Sequence, residues 1–243
     1  MKRAGFLLLV AVLALTSSVR AWAAPGTIRD LLGDRTIVVD RQPTRYGGLA
    51  SDTLFINRSG QVSWQQLADS ITLSQAATNL QLGWWGFYGS FDQTHQPPSG
   101  AETFRVRFYD ARASDGLPGS TIFEQTFDSA SRAATGHTVF AEVTAPEYFY
   151  QVDLAQGLAL EAGAKYWIEV VQVSDIDSAF RWEFATGGPP GEVYLNAHVS
   201  DWTLYGPDTA FQLSTLPEPA SLLFFVPSIL LVKLRGRREA RRP

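Results

Sequence analysis

The stretch at residues 104–108, FRVRF, decides the fold class of this chain. Apolar and charged residues alternate in it, and residues 180–184, FRWEF, repeat the alternation. Successive side chains of a β-strand point to opposite faces of the sheet, so one face here is apolar and the other is polar. The pattern predicts half-buried antiparallel strands rather than helices.

Segments of similar character recur along the chain between turn signals rich in glycine and proline, such as 115–119, DGLPG, and 187–191, GGPPG. About ten strands at this spacing, with no long amphipathic helix between them, predict an all-β fold. The expected form is a two-sheet antiparallel β-sandwich of jelly-roll type. The predicted strands are 68–73, 79–88, 102–110, 120–127, 137–144, 147–154, 165–173, 179–185, 192–199 and 209–213.

The β-sandwich domain is expected at residues 66–214, which is an ordinary size for one domain. Residues 24–65 form an N-terminal extension that we expect to be partly strand and to pair onto the sandwich. Within it, 36–40 and 53–57 are predicted strands, while 42–48, QPTRYGG, are a predicted loop.

Residues 1–23 have the layout of a secretory signal peptide. A cationic head precedes ten apolar residues at positions 6–15, and residues 21–23, AWA, supply a small-residue cleavage site. We therefore expect export of the body and cleavage by signal peptidase near Ala23.

Residues 215–243 combine a Pro217-Glu218-Pro219 motif, an apolar run at 222–232 and a basic end. Counted through residue 234, the run would cover roughly 20 Å as a helix, which is short for a hydrocarbon core of about 30 Å. The basic end would hold the terminus on the cytoplasmic side while the body crosses the membrane. Its cations are Lys233, Arg235, Arg237, Arg238, Arg241 and Arg242.

This order of features resembles the PEP-CTERM sorting domain of Gram-negative bacteria, over residues 217–243. The resemblance implies that Pro217, Glu218 and Pro219 form the sorting motif, that an exosortase processes the chain, and that the cells make abundant exopolysaccharide. It implies export across the inner membrane, transient anchoring by a short C-terminal transmembrane helix, and a final place at the cell surface or in the extracellular matrix. Lys233, Arg235, Arg237 and Arg238 would form the cytoplasmic anchor.

The middle of the chain carries a second, looser resemblance. Residues 67–72, LADSIT, 83–88, GWWGFY, and 104–109, FRVRFY, are similar to uncharacterised β-sandwich regions of exported PEP-CTERM proteins. That resemblance implies a fold and no activity.

Charge excludes some partners. Without residues 1–24 and 217–243, the body keeps 11 basic and 22 acidic residues, a net charge of −11. Such a balance disfavours binding to nucleic acid or to anionic membrane surfaces. The chain has no cysteine, so disulfides and thiolate sites cannot form.

No catalytic motif stands out, and we expect a non-catalytic protein without a cofactor. His95, His137 and His198 are too far apart in sequence to form a local metal site. One alternative is a carbohydrate-active enzyme that uses two distant carboxylates, with Glu102, Glu169 and Glu183 as candidates in strands. Another is a structural protein that self-associates along its sheet edges.

The candidate ligand-binding residues are Trp85, Phe87, Arg105 and Arg107. If Trp84 faces the core, Trp85 and Phe87 face outward and present two rings that can stack on sugar. A neighbouring strand would place the two arginines beside them, making a cation–π patch or a site for an acidic polysaccharide, so that the four residues could bind exopolysaccharide. The alternative, which large aromatic residues usually follow, is that the N-terminal segment or a loop covers both rings.

Acidic loop residues are weak candidates for calcium. Asp175 and Asp177 lie close in one loop, as do Asp110 and Asp115 in another. Carboxylate oxygens are calcium ligands, but neither pair matches a twelve-residue calcium loop, and turn formation explains aspartate equally well.

Overall fold

The computed structural model describes residues 35–56, 62–89, 97–98, 102–140, 144–173, 179–186, 193–196 and 202–216. The predicted signal peptide, the sorting motif with its apolar run and basic end, and the candidates Asp175 and Asp177 lie outside these ranges. Within them, no helix is long or apolar enough to cross a membrane.

The described chain is all-β and forms two sheets whose ladders are antiparallel, apart from a single parallel pairing between β3 and β10. The prediction of two antiparallel sheets is confirmed. The strands are β1 (Thr36–Arg41), β2 (Pro43–Ala50), β3 (Asp52–Ile56), β4 (Val62–Thr72), β5 (Leu80–Gly89), β6 (Phe104–Ala111), β7 (Pro118–Phe127), β8 (Ser131–Phe140), β9 (Thr144–Asp153), β10 (Lys165–Gln172), β11 (Ala179–Ala185), β12 (Val193–Asn196), β13 (Thr203–Gly206) and β14 (Phe211–Thr215).

Each sheet contains seven of these strands. Sheet I is organised around β5, which pairs with β9 along one side and with β14 and then β11 along the other. Strands β1, β2 and β8 extend sheet I by pairing with β14, β11 and β9. Sheet II has β10 and β4 at its centre and runs from β13 to β7.

The period of two in the sequence is confirmed in β6 and β11. Phe104, Val106 and Phe108 are fully buried between the sheets, while the two arginines that alternate with them lie on the opposite face. Phe180 and Trp182 of β11 are likewise buried. Alternation therefore places these side chains correctly without knowledge of the fold.

Aromatic side chains fill the space between the sheets. Trp84 stacks on Tyr150 with ring centroids 5.5 Å apart, and Phe104 meets Phe180 edge to face at 5.0 Å. Each fully buried ring removes a large apolar area from water, worth on the order of 2–3 kcal/mol by transfer alone. With no cysteine in the chain, this core is a main source of stability.

The predicted loop at 42–48 is wrong, because β2 (Pro43–Ala50) runs through it. Proline and glycine disfavour central strands, but β2 pairs on one side only, with β11, and Pro43 is its first residue. Gly48 lies so close to the carbonyl of Trp182 that a side chain there would collide with backbone. The glycine therefore permits the pairing that its local pattern argues against.

Candidate functional site

The predicted aromatic row of β5 does lie on the outer face of sheet I, but it is not exposed. Trp85 is 4% exposed and Phe87 is fully buried, so the expectation of two rings open to a ligand is wrong. Phe149 of β9 packs on Trp85 at 4.7 Å between centroids and occupies the space that Gly83 leaves free. Phe87 packs on Val139 and Ala145 from β8 and β9.

Arg105 and Arg107 do not lie beside Trp85, and this expectation is also wrong. Strand β6 follows β5 in sequence but belongs to sheet II, so the arginines and Trp85 lie on different sheets. Both arginines approach the buried carboxylate of Glu169, at 3.5 and 3.6 Å. Arg107 also donates to Glu124 at 2.5 Å.

The three candidate carboxylates are not brought together. Glu102 accepts hydrogen bonds from Tyr88 and Tyr150 and pairs with Arg132. Burial is the main cause that raises the pKa of both tyrosines, so they remain neutral donors. Glu169 lies on sheet II, and Glu183 lies on sheet I.

Glu183 instead meets Glu147, a residue that the sequence did not single out. Glu183 is on β11 and Glu147 is on β9, and their side chains lie on the outer face of sheet I. Both are buried, at 0% and 1% exposure. Strands β9 and β11 flank β5 on opposite sides, which makes the pairing of these acids a product of sheet order alone.

Arg45 of β2 closes over the acid pair. Its backbone N–H donates to Glu183 Oε1 at 2.6 Å, and its Nε lies 3.6 Å from Glu147 Oε2. Arg45 has a φ of 62°, a left-handed conformation that is unfavourable for a side chain with a Cβ. Such strain persists only where surrounding contacts hold it, and it is concentrated at functional sites.

The negative charge of Glu147 acts on Glu183. The Oε2 atoms of Glu147 and Glu183 are both buried and have no donor among the described residues. Burial, followed by the negative charge of Glu147, raises the pKa of Glu183 to about 8, while the backbone bond and charge of Arg45 oppose the rise. Glu183 therefore keeps its proton to higher pH than an ordinary glutamate, and that proton is a donor in a place where the two carboxylates supply only acceptors.

Two exposed rings lie next to this cluster. Tyr46 is 78% exposed and Phe140 is 58% exposed, with ring centroids 6.4 Å apart and planes inclined by 31°. Tyr46 follows Arg45 directly, and Phe140 ends β8, which lies against β2. We call Tyr46 and Phe140 the ring pair, and Arg45, Glu147 and Glu183 the acid cluster beneath it.

Sequence reasoning missed both groups for identifiable reasons. Tyr46 was assigned to a loop, and Phe140 and Glu147 have no motif around them that marks a site. The acids of the pair are 36 positions apart in the sequence, and only the order of strands in sheet I joins them. The one local hint is that Tyr46 precedes two glycines in a segment with turn character, because turns run over the protein surface.

Metal binding has little geometric support in the described ranges, where no three histidine, aspartate or glutamate side chains converge. Asp110 accepts from the backbone N–H of Ser120 at 2.5 Å, and Asp115 pairs with Arg112 at 3.2 Å. These aspartates shape their turn, which is the alternative that the sequence left open. His137 is exposed on β8.

Comparison with known proteins gives a family and no named relative. Residues 44–217 of the 243 match the family described as a domain of unknown function (DUF7901). The match begins at β2, so it includes the acid cluster and both rings of the ring pair. No curated protein matches the chain. The chain therefore belongs to the DUF7901 family.

Proposed function

We propose that this protein is a non-catalytic, exported surface or matrix protein that binds polysaccharide on the ring pair. The observation that carries the binding proposal is the exposure of Tyr46 and Phe140. In the described part of the chain, they are the two aromatic side chains among the large apolar groups left exposed. Adjacent exposed rings offer a flat apolar surface on which sugar rings can stack.

The charge around the ring pair favours a neutral polysaccharide. Arg45, whose side chain is 45% exposed, is the nearest cation, and the acid cluster with its shared proton carries one negative charge that offsets it. The body as a whole carries a net charge of −11, which repels an acidic polymer. The predicted recruitment of an acidic sugar by Arg105 and Arg107 loses its support, because Glu169 and Glu124 already engage them.

The alternative of a carbohydrate-active enzyme receives less support from the geometry. Glycosidases hold two carboxyls about 5–9.5 Å apart across an open cleft. Glu147 and Glu183 instead are buried beneath Arg45, which lies against both of them, and do not face an open cleft. Self-association along sheet edges remains a second, structural proposal, with β7 as a long outer strand of sheet II.

The proposal includes the course of maturation expected from the sequence and a jelly-roll arrangement of the sandwich. The chain changes sheet repeatedly along its length, which supports that arrangement. Signal peptidase, exosortase and release to the cell surface or extracellular matrix remain proposals that rest on the two ends of the sequence. Mass spectrometry of the secreted form tests them: a chain ending near Pro217 supports sorting, and a chain retaining its arginine-rich end contradicts it.

Binding is tested by affinity electrophoresis of the full chain in mild detergent, in gels containing hydroxyethyl cellulose, dextran or alginate. We expect retardation by at least one neutral glucan and not by alginate. Tyr46→Ala and Phe140→Ala should each weaken binding about fivefold, which corresponds to loss of about 1 kcal/mol of ring contact. Ile122→Ala, at an exposed apolar site on sheet II, is the matched control. Equal retardation of all variants would contradict the proposal.

A further inference from the structure

We infer that the acid cluster is a pH-sensitive clasp, in which a proton shared by Glu147 and Glu183 holds Arg45 and so keeps the ring pair assembled. The ring pair is then in place at neutral and acidic pH and is lost at alkaline pH. The consequence for polysaccharide rests on the proposed function, whereas the clasp itself does not.

The geometry ties the ring pair to the acids through one residue. Arg45 is held at two points, its backbone N–H on Glu183 and its Nε near Glu147. Its left-handed φ sets the direction in which the chain enters Tyr46. Because that conformation is unfavourable for arginine, release of the two contacts lets the segment relax and removes Tyr46 from Phe140.

The charges explain why a proton is needed. With one proton on the pair, a single negative charge lies against the guanidinium of Arg45, and both Oε2 atoms have a partner. Without the proton, two buried carboxylates repel each other and one cation cannot balance them. Desolvation of a second buried charge makes this state more costly than opening the segment to water.

Groups on the surrounding strands do not replace the proton. On β5 the side chains of Trp85 and Phe87, which lie on this face, are apolar, and on β8 His137 is exposed and Arg132 is bonded to Glu102. Arg181, on the same face of β11 as Glu183, lies over Gly89. Strand β14 (Phe211–Thr215) has no ionisable side chain. Arg45 of β2 is the cation that contributes to the electrostatics of the pair.

The clasp is tested without any ligand by amide hydrogen exchange of the full chain between pH 6 and 10. The measured rates are divided by the intrinsic exchange rate of an unprotected amide, which itself rises with pH. We expect protection of the Arg45 amide to fall at least tenfold between pH 6 and 7.5, because the proton is lost from the open segment at lower pH than from the closed one, while the amide of Val106 in β6 stays protected. Glu183→Gln keeps an acceptor for Arg45 and supplies a permanent amide donor to Glu147. In this variant the protection should not change with pH. The exposed Glu124→Gln is the control and should behave as the wild type.

Constant protection of Arg45 in the wild type from pH 6 to 10 would overturn the clasp, as would the same loss in Glu183→Gln. If Glu183→Gln does not fold, Glu147→Gln places the amide donor on the other member of the acid pair. The pH dependence of Arg45 protection in the wild type is by itself enough to decide whether the clasp exists. Gel retardation by the neutral glucan at pH 7 and 9.5 separates the two proposals. Retardation at both pH values refutes the clasp alone, and retardation at neither refutes the proposed binding while the exchange result stands.

Discussion

Two buried carboxylates of this sandwich, Asp69 and Glu183, have opposite surroundings. Asp69 lies between the sheets and accepts from Arg41 at 2.5 Å and from the backbone N–H and hydroxyl of Thr209 at 2.7 and 2.8 Å. Glu183 lies on the outer face of sheet I and accepts from one backbone N–H, while its second oxygen has no hydrogen-bond partner among the described residues and the charge of Glu147 acts on it. Both are fully buried.

Burial raises the pKa of both acids, to about 6 for Asp69 and to about 8 for Glu183, and the cation and the donors around Asp69 limit its rise. Asp69 has its hydrogen bonds complete, so it joins β4 of sheet II to Arg41 of β1 in sheet I as a fixed cross-link. Glu183 is complete only while the pair keeps its proton, which makes it sensitive to pH. The same chemical group therefore serves as structure in one place and as a switch in the other.

Removing the carboxylate of Asp69 should have the largest effect. Asp69→Ala removes the acceptor of the backbone N–H of Thr209 and the nearest carboxylate of Arg41, which keeps the Ser70 carbonyl at 2.7 Å and Asp208 at 3.5 Å. We therefore expect a loss of about 3 kcal/mol in the free energy of unfolding. Urea denaturation measures it. Asp115→Ala, in an exposed turn, is the control and should cost less than about 0.5 kcal/mol. A loss for Asp69→Ala no larger than that of the control would remove the distinction between the two acids.

The second largest effect is expected in the pH dependence of the free energy of unfolding, to which Glu183 contributes at neutral pH. The pKa of Glu183 is raised from 4.5 to about 8, so the folded state binds this proton more tightly than the unfolded state. Its contribution is fully present below pH 4.5 and is lost as the pH rises towards 8, by at most about 1.4 kcal/mol per pH unit. Between pH 6 and 7.5 the wild type should lose about 2 kcal/mol more than Glu183→Gln does. Parallel curves for the two proteins would count against the shared proton.

Removing Arg45, the cation above Glu147 and Glu183, should make the pH dependence of Glu183 differ further from that of Asp69. Arg45→Gly relieves the left-handed strain, worth about 1 kcal/mol, but loses the charge that stabilises the ionised acid. We expect little net change in stability at pH 6 and a further rise in the pKa of Glu183, read as a shift of the pH–stability curve to higher pH. A shift to lower pH would mean that Arg45 does not act on the pair.

The exposed ion pair of Arg107 and Glu124 should make the smallest contribution to the free energy of unfolding. Glu124 is 47% exposed, so its attraction to Arg107 is screened by water. Glu124→Gln should change the free energy of unfolding by less than about 0.5 kcal/mol, and less still at 1 M salt. A change above 1.5 kcal/mol would place this pair among the buried ones and weaken the argument from exposure.

The sequence predicted which face of a strand a side chain occupies better than it predicted which other residues that side chain contacts. Alternation placed Phe104, Val106 and Trp84 in the core and Trp85 and Arg105 on outer faces, because a period of two is a local property. It did not predict that Phe149 would cover Trp85, nor that β6 would leave the sheet of β5, because strand order depends on the whole chain. Strand β2 was missed because its glycines and proline favour a loop locally, and a single-sided pairing with β11 overrides that preference.

The acid pair was missed for the same reason, because strand order decides which residues meet. Glu183 was recognised as a strand carboxylate, but its partner Glu147 and its cation Arg45 come from two other strands of sheet I. No spacing in the sequence signals that arrangement. The ring pair depends on it in turn, since Tyr46 and Phe140 meet only once β2 and β8 lie together on the outer face of sheet I.

The central claim is that Glu147 and Glu183 hold one proton between them at neutral pH. Carbon-13 NMR of their side-chain carboxyls, assigned by comparison with Glu147→Gln and Glu183→Gln, follows this proton directly. The account predicts that one step of the pair's titration falls near pH 8. Complete ionisation of both carboxyls below pH 5 would contradict it.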